Sequence, residues 1–312
     1  MKLSLLSAGL TCGLVALLPC CKKAGEGAPE GSLSKRDWPG YFVSADWVAK
    51  NVKGIRLIDV RSREEYDRGH LPGAVNLPAG LWHEDLVGRT DRMVPAGRLE
   101  QFLSGAGVAV TDRVVFYGDG GGFGAIRAAW VLDAHGHEYV GVMPDGMRGW
   151  SDRGGAMTSE PPGLPATDYR ARLCGERVAN KLSVLHAISN PEVVLLDVRR
   201  GQADRTRRIP TSRGLGLDDH ALRPANLKEV RELQGVLRGL FGDGESCIVY
   251  SDNGIRSSLV GLLLRDAGVP TAVYDGGWNE WASHPGVPME TREGSVVEDA
   301  PVTPILQFGT SP

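Results

Sequence analysis

The stretch that decides the fold reads CIVYSDNGIRSSLVGLLL and covers residues 247–264. Residues 247–250 form a short, β-branched apolar run that predicts a strand, and residues 256–265 predict an amphipathic helix. A tight polar loop joins them, and Gly254 lets this loop adopt backbone angles that other residues resist. Such a loop directs backbone N–H groups toward one point, where the helix N-terminus adds its positive dipole end. The stretch therefore predicts an anion-binding loop at the carboxyl end of a strand, where open α/β sheets bind ligands.

The same pattern occurs twice along the chain. A strand that ends in Asp-x-Arg is read as IRLIDVR at residues 55–61 and as VVLLDVR at residues 193–199. Each unit closes on a related stretch, DGMRGW from Asp145 and DGGWNEW from Asp275, and we pair these two aspartates. The strands are apolar throughout and alternate with helices, which is typical of a parallel sheet covered on both faces. The sequence predicts an α/β protein with two repeated domains.

Two motifs resemble one known family. YSDNGIRSS at residues 250–258 resembles the active-site loop of rhodaneses, Tyr-Cys-x-x-Gly-x-Arg-Ser, with Ser251 at the position of the family's cysteine. DVRSREEYDRGHLPGAVN at residues 59–76 resembles the first signature of the tandem rhodaneses, the thiosulfate and 3-mercaptopyruvate sulfurtransferases. The resemblance spans roughly residues 43–290. It implies two tandem rhodanese-like domains, each a parallel β-sheet flanked by helices on both faces.

The resemblance makes Ser251 the central question of the site. In the family the cysteine carries sulfur as a persulfide, whereas a serine hydroxyl forms no persulfide and is a poor nucleophile without a base. A cradle of backbone and helix dipole survives the exchange. The predicted anion-binding loop consists of Asp252, Asn253, Gly254, Ile255, Arg256 and Ser257. Arg199 is the candidate for holding a substrate carboxylate, as arginines near this place do in relatives that bind 3-mercaptopyruvate; a solvated basic loop is the alternative.

No other residue is expected to replace the missing thiol. Cys247 lies four residues before Ser251 on a strand and is expected to point into the core, and Cys174 lies in the bridge between the domains. Hydrolase chemistry at Ser251 would require a histidine base, for which His284 is the candidate in the second half. No metal-ligand spacing occurs, and we expect no cofactor.

The first half is expected to be non-catalytic. Gly118 to Arg127 reads GDGGGFGAIR, a glycine-rich loop without a nucleophile. We count ten residues from Tyr117 to Arg127 against six from Tyr250 to Arg256, which predicts a longer loop in this half. A phosphate-binding role is disfavoured because no Lys-Ser/Thr follows the glycines.

The amino terminus is typical of an exported protein. Lys2 precedes a short apolar run, and polar, glycine-rich sequence follows it. Cys20 and Cys21 resemble the lipidation site of a bacterial lipoprotein signal, and cleavage without lipid is the alternative. We expect the periplasm or cell envelope. The predicted boundaries are a signal peptide at 1–21, a flexible linker at 22–40, a first domain at 41–160, a linker at 161–180, a second domain at 181–290 and a tail at 291–312.

The net charge of −3 and the lack of a long basic run argue against nucleic acid as a partner. Two functions remain open. The first is a module that binds a small sulfur oxyanion or another anion, or a protein thiol partner. The second is an active sulfurtransferase that moves sulfane sulfur from thiosulfate or 3-mercaptopyruvate to a thiol or to cyanide.

Overall fold

The computed structural model describes residues 37–85, 91–201, 206–216 and 222–291. The predicted signal peptide and both candidate lipidation cysteines lie outside the described residues, as does the predicted tail apart from its first residue. Residues 37–40, which we assigned to the flexible linker, lie against the first domain. The ring of Trp38 meets Trp47 and Tyr139 edge-on, with centroids 5.4 and 5.8 Å apart.

The first domain is built on a four-stranded sheet with the order β2-β1-β5-β6, in which every pairing is parallel. A small antiparallel hairpin, β3–β4, stands apart from it. The strands are β1 Arg56–Asp59, β2 Val75–Asn76, β3 His83–Asp85, β4 Asp91–Met93, β5 Arg113–Tyr117 and β6 Tyr139–Val142; the α-helices are α1 Ala45–Asn51, α2 Arg63–Arg68, α3 Ala96–Gly105, α4 Phe123–Ala134 and α5 Gly146–Asp152.

The second domain repeats this plan with a five-stranded parallel sheet in the order β10-β8-β11-β12-β7. The edge strand β7 comes from the end of the segment that we assigned to the linker. The strands are β7 Val178–Ala179, β8 Val193–Asp197, β9 Arg207–Arg208, β10 Arg213–Gly214, β11 Ser246–Tyr250, β12 Thr271–Tyr274 and β13 Glu290–Thr291; the α-helices are α6 Lys181–Ile188, α7 Leu227–Arg238, α8 Ile255–Asp266 and α9 Gly277–Ser283. The predicted parallel α/β fold is confirmed.

Alternate residues of the central strands point to opposite faces of the sheet, as the strand period of two requires. On β5, Val114 and Phe116 face one apolar cluster, whereas Val115 and Tyr117 face another. The first of these clusters continues without a break into the second domain, because α4 and α8 pack against each other between the two sheets. The two halves of the chain therefore share one core.

The bridge between the domains is fixed to the first domain over much of its length. The backbone of Thr167 and Cys174 bonds to Ser104 and Ala134, and Tyr169 is buried against His137, whose Nδ1 lies 2.9 Å from the tyrosine hydroxyl. This attachment limits how far the second sheet can move relative to the first. No helix in the described part of the chain combines the length and apolarity needed to cross a membrane.

Helix α9 begins with a glycine that no other residue can replace without strain. Gly277 has φ +56°, and a Cβ atom there would overlap the carbonyl oxygens of Ser251 and Asp252. Gly286 has a similar positive φ of +79°, but a Cβ atom there would meet nothing within 4 Å. Substitutions at the two glycines can therefore be compared: Gly286 reports the cost of the left-handed backbone alone, and Gly277 adds the cost of a steric clash with the Ser251 loop.

We expect Gly277→Ala to lower the free energy of unfolding by about 3 kcal/mol, because it adds a steric clash to the left-handed backbone. Gly286→Ala is the matched control and should cost about 1 kcal/mol from the backbone alone. Urea denaturation of both variants measures the difference. Equal losses would show that the close approach of Gly277 to the Ser251 loop contributes nothing to stability.

Candidate functional site

Ser251 lies where β11 ends, and its side chain is fully buried. Its Oγ is 3.2 Å from the Oγ of Ser257, in the first turn of α8. Ser257 in turn donates to the carbonyl oxygen of Gly254 at 3.0 Å, so Ser251 is the donor in the hydroxyl pair. The side chain of Ser251 therefore points at the start of α8, as the predicted loop geometry requires.

Gly254 makes the tight turn into α8. It is the N-cap residue of the helix and has φ +82°, in the left-handed region that glycine adopts most readily. A Cβ atom there would lie 2.5 Å from the carbonyl oxygen of Asp275, so space as well as conformation requires glycine. Gly254 provides no side-chain cap, and the Oδ1 of Asn253 accepts from the N–H of Ile255 only at 3.5 Å. The first-turn N–H groups of a helix have no partners within the helix. The helix end is therefore suited to a negatively charged group.

The remaining loop residues divide into a buried and an exposed set. Arg256 is buried, and its Nε donates to the carbonyl oxygen of Val198 at 2.9 Å, which attaches the loop to the end of the neighbouring strand. Asp252, Asn253 and Ile255 are each partly exposed and form the mouth of the loop. An anion would therefore meet backbone groups and these three residues before it reached Ser251.

The first turn of α9 supports the loop from behind. The N–H of Trp278 donates to the carbonyl oxygen of Ser251 at 2.8 Å, and the N–H of Asn279 donates to that of Asp252 at 3.0 Å. These two bonds fix the backbone on which the nucleophile position lies. Asp275, just before the turn, is buried and holds it in place through partners on the other domain.

Arg127, on α4 of the first domain, is the main partner of Asp275. Its side chain is 1% exposed, and its Nη1 lies 2.7 Å from Asp275 Oδ1 and 3.1 Å from Ser258 Oγ. The other carboxylate oxygen of Asp275 accepts from the N–H of Met93 on β4, at 2.8 Å. The first domain thus fixes the turn that supports the loop of the second domain.

The guanidinium of Arg199 is used in contacts within the protein and is not presented to a substrate. Its Nε and Nη2 bind the carboxylate of Asp197, and Nη2 also donates to the carbonyl oxygen of Arg207 at 2.9 Å. The guanidinium lies 4.4 Å from the ring of Trp278, and the side chain is only 4% exposed. Arg61 makes the same contacts with Asp59 and Gly69 in the first domain. This repetition indicates that the Asp-x-Arg pair stabilises the strand end.

Neither body cysteine lies at the loop. Cys174 and Cys247 are buried and are not joined in a disulfide, and burial raises the pKa of the Cys247 thiol, which disfavours the thiolate. His284, the candidate base, has its Nδ1 2.8 Å from the carbonyl oxygen of Glu280. None of the described histidines is hydrogen-bonded to Ser251, whose hydroxyl is paired with Ser257. Among the described residues, no cluster of three or more His, Cys, Asp or Glu side chains could hold a metal ion.

The family model for the rhodanese-like domain matches the chain twice, at residues 44–153 and 182–284. The chain belongs to the rhodanese-like family. The tandem arrangement and the resemblance predicted from the two motifs are confirmed.

Relatives of the chain cover both rhodanese-like domains. A putative thiosulfate sulfurtransferase of Saccharopolyspora erythraea is 30% identical over 277 residues, which cover 81% of this chain and 96% of the relative. The 3-mercaptopyruvate sulfurtransferase of Escherichia coli is 28% identical over 80% of this chain and 98% of its own length. The crystal structure of SseA from Escherichia coli, described as a 3-mercaptopyruvate sulfotransferase with the rhodanese fold, covers 77% of this chain and 99% of its own at 25% identity, with a TM-score of 0.64.

The two rhodanese-like domains align differently from our sequence pairing. The N–H of Met147 donates to the carbonyl oxygen of Gly118, as that of Trp278 does to Ser251. Gly118 therefore occupies the nucleophile position of the first domain. This alignment places Gly146, with φ +55°, opposite Gly277, so our pairing of Asp145 with Asp275 was wrong by one residue.

The first-domain loop is longer by one residue rather than by four. Gly122 and Gly254 are the N-caps of α4 and α8, and both helices have 12 residues. Arg127 therefore lies inside α4 and is not the counterpart of Arg256. Matching the two arginines by sequence was misleading because the loop of the first domain has no arginine at the corresponding position.

Sequence reasoning missed the residues that support the loop from the first domain. Arg127 and Met93 bind Asp275, and Arg92 pairs with Glu280 of α9 at 2.5 Å. An arginine within the otherwise apolar run FGAIRAAWVL of α4 was the available signal, because a charge on a buried helix face requires a buried partner. The identity of that partner depends on the packing of the two domains.

We expect Arg127→Met to destabilise the protein by about 3–5 kcal/mol, because it leaves the carboxylate of Asp275 buried without its cation. Urea denaturation of the full chain measures this loss. Adding Asp275→Asn to Arg127→Met should recover part of it, since the unpaired charge is then removed.

Arg63→Met is the matched control, because Arg63 pairs with Asp67 on the surface, where its side chain is 64% exposed. That change should cost less than about 1 kcal/mol. A similar small loss for Arg127→Met would contradict the role given to the pair between the domains.

Proposed function

We propose that this protein binds a small oxyanion at residues 251–257 and does not transfer sulfur through a persulfide. The observation that carries the proposal is the position of Ser251. Its oxygen lies at the start of α8, where the family places the sulfur of its cysteine. A hydroxyl in this position forms no persulfide, so it cannot carry a sulfane sulfur.

The geometry of the loop supports anion binding independently of a thiol. The glycine N-cap leaves the end of α8 without a side-chain cap, and the helix dipole favours negative charge there. Two bonds from the first turn of α9 fix the loop backbone, so the N–H groups at the start of α8 are oriented before an anion arrives. The carboxylate of Asp252 at the mouth lowers the affinity of the loop for any anion but leaves the helix end available. Thiosulfate, sulfate and phosphate are the ligand class that we propose, with a protein thiol partner as a second occupant of the same loop.

Active sulfur transfer is the alternative, and the relatives favour it. Relatives that span both domains are described as thiosulfate and 3-mercaptopyruvate sulfurtransferases. Transfer in this chain would require a different sulfur carrier. The two body cysteines are buried away from the loop, and the pKa of Cys247 is raised by burial. The loop geometry therefore favours binding over turnover.

A thiosulfate-to-cyanide assay separates the two functions. We expect the unaltered protein to form no thiocyanate above the blank, and Ser251→Cys to produce turnover because the thiolate would be stabilised by the end of α8. Thiocyanate from the unaltered protein would establish the alternative. If Ser251→Cys forms no thiocyanate although its circular dichroism spectrum is native, the loop does not provide an anion site.

Ser258→Cys is the matched control for this assay. Ser258 lies on the same helix and is equally buried, but its hydroxyl contacts Arg127 and the carbonyl oxygen of Gly254. A thiol there faces the domain interface, so we expect no turnover. Equal turnover in both cysteine variants would show that the reaction does not depend on the position of Ser251.

We also propose that the protein is exported to the cell envelope, on the basis of the basic start, the apolar run and the cysteines of residues 1–21. Mass spectrometry of the protein purified from its native host tests this proposal. We expect a chain that lacks the apolar run. A diacylglycerol adduct on Cys20 or Cys21 would establish lipidation, and an intact Met1 start would contradict export.

A further inference from the structure

A cavity of about 260 Å³ lies over the carboxyl end of the first sheet. Its walls include the glycine-rich loop 118–122, the side chains of Val60, Ile126 and Met143, and Pro224 from the second domain. The cavity occupies the position in the first domain that the Ser251 loop occupies in the second. It is therefore enclosed only when the two domains are packed together.

Two sequence differences open this space. Gly118 has no side chain at the nucleophile position, and the loop that follows it consists largely of glycine. In the second domain the ring of Trp278 lies over Arg199, whereas the corresponding residue in the first domain is Met147. Arg61, the counterpart of Arg199, consequently lines the cavity.

Arg61 places a buried positive charge at the cavity, and one of its three guanidinium nitrogens makes no hydrogen bond to a described residue. Its side chain is only 8% exposed, and its Nε and Nη2 bind Asp59 and the carbonyl oxygen of Gly69. No described residue bonds to its Nη1. A ligand in the cavity can accept a hydrogen bond from this nitrogen, and hydrogen bonds to a charged donor are the stronger kind.

The start of α4 adds further donors beside the cavity. Gly122 is the N-cap of this 12-residue helix and provides no side-chain cap, while Gly124 and Ala125 in its first turn line the cavity. First-turn N–H groups lack partners within the helix and favour negative charge. The buried guanidinium and the helix end thus provide two separate reasons for an anionic group to bind here.

The charges around the cavity limit how negative the ligand can be. Asp59 neutralises Arg61, and the exposed carboxylate of Asp119 lies at the rim. Because Arg61 is already paired and a carboxylate lies at the rim, a ligand of low charge is favoured over a dianion, and the apolar walls suit a short hydrocarbon body.

We propose that this cavity is a second binding site, which takes a small organic monoanion with a carboxylate or sulfonate head and a short apolar body. The head accepts from Arg61 Nη1 and the first-turn N–H groups of α4. The body lies against Ile126, Met143 and Pro224. The site is separate from the Ser251 loop and does not depend on the function proposed for it.

Isothermal titration calorimetry of the full chain with isobutyrate tests the proposal. Methanesulfonate distinguishes a sulfonate head from a carboxylate head, and isobutyramide is the neutral control of the same shape. We expect isobutyrate to bind in the millimolar range and isobutyramide at least tenfold more weakly, because only the anion uses the charged donor. Asp119→Asn should tighten isobutyrate binding a few-fold by removing a like charge. Equal binding of acid and amide, or no binding of either anion, would overturn the proposal.

Gly122→Leu locates the site. A Cβ atom at Gly122 would meet nothing within 4 Å, and its φ of −91° suits any residue, so leucine can fill the cavity. We expect isobutyrate binding to weaken at least tenfold. Gly163→Leu, an exposed glycine with equally free space, is the matched control and should leave binding unchanged. Unaltered binding in Gly122→Leu would place the ligand elsewhere and overturn the assignment.

A second readout applies if the leucine variant does not fold. Gly118→Cys places a thiol in the cavity, with its Cβ 3.5 Å from Val60. Isobutyrate should slow its alkylation by iodoacetamide, and isobutyramide should not. Alkylation at the same rate with and without isobutyrate would contradict binding in the cavity. Ser251→Cys, alkylated in parallel, should show no such protection, so the outcome does not depend on the loop of the second domain.

Discussion

The buried ion pair between Arg127 and Asp275 is the interaction on which the site depends. A charge removed from water is stable only when a partner compensates it, so neither residue can lie in its place without the other. Asp275 leads into the turn whose N–H groups fix Ser251 and Asp252. The arginine belongs to the domain without a nucleophile. The first domain is therefore part of the site.

The amino-acid pattern was sufficient for the fold because each half carries its own local signals. The strand and helix predicted at 247–250 and 256–265 are β11 and α8, which differ from the prediction by a single residue at three of their four ends. The repeat identified both sheets as parallel, since apolar strands alternating with helices have few other solutions. These signals are local in the chain and do not depend on how the domains meet.

The contacts between the domains could not be predicted in the same way. Arg127 looked like the arginine of an anion loop, because sequence spacing cannot show that the helix starts at Phe123 and places this residue one turn further in. Arg199 looked available for a substrate, yet its own strand end and Trp278 occupy its charged group. Both differences arise because a guanidinium can serve a buried carboxylate as well as a ligand. Only the packing distinguishes the two uses.

The core that α4 and α8 share has a consequence for the origin of the chain. The two halves meet through equivalent helices, so each covers the apolar face of the other as two identical subunits related by a twofold axis would. Such a pair is self-complementary before any fusion occurs. Joining the copies in one polypeptide removed the requirement that both remain identical. In this chain neither copy has a cysteine at the nucleophile position, and the first copy supplies the arginine that holds the loop support of the second.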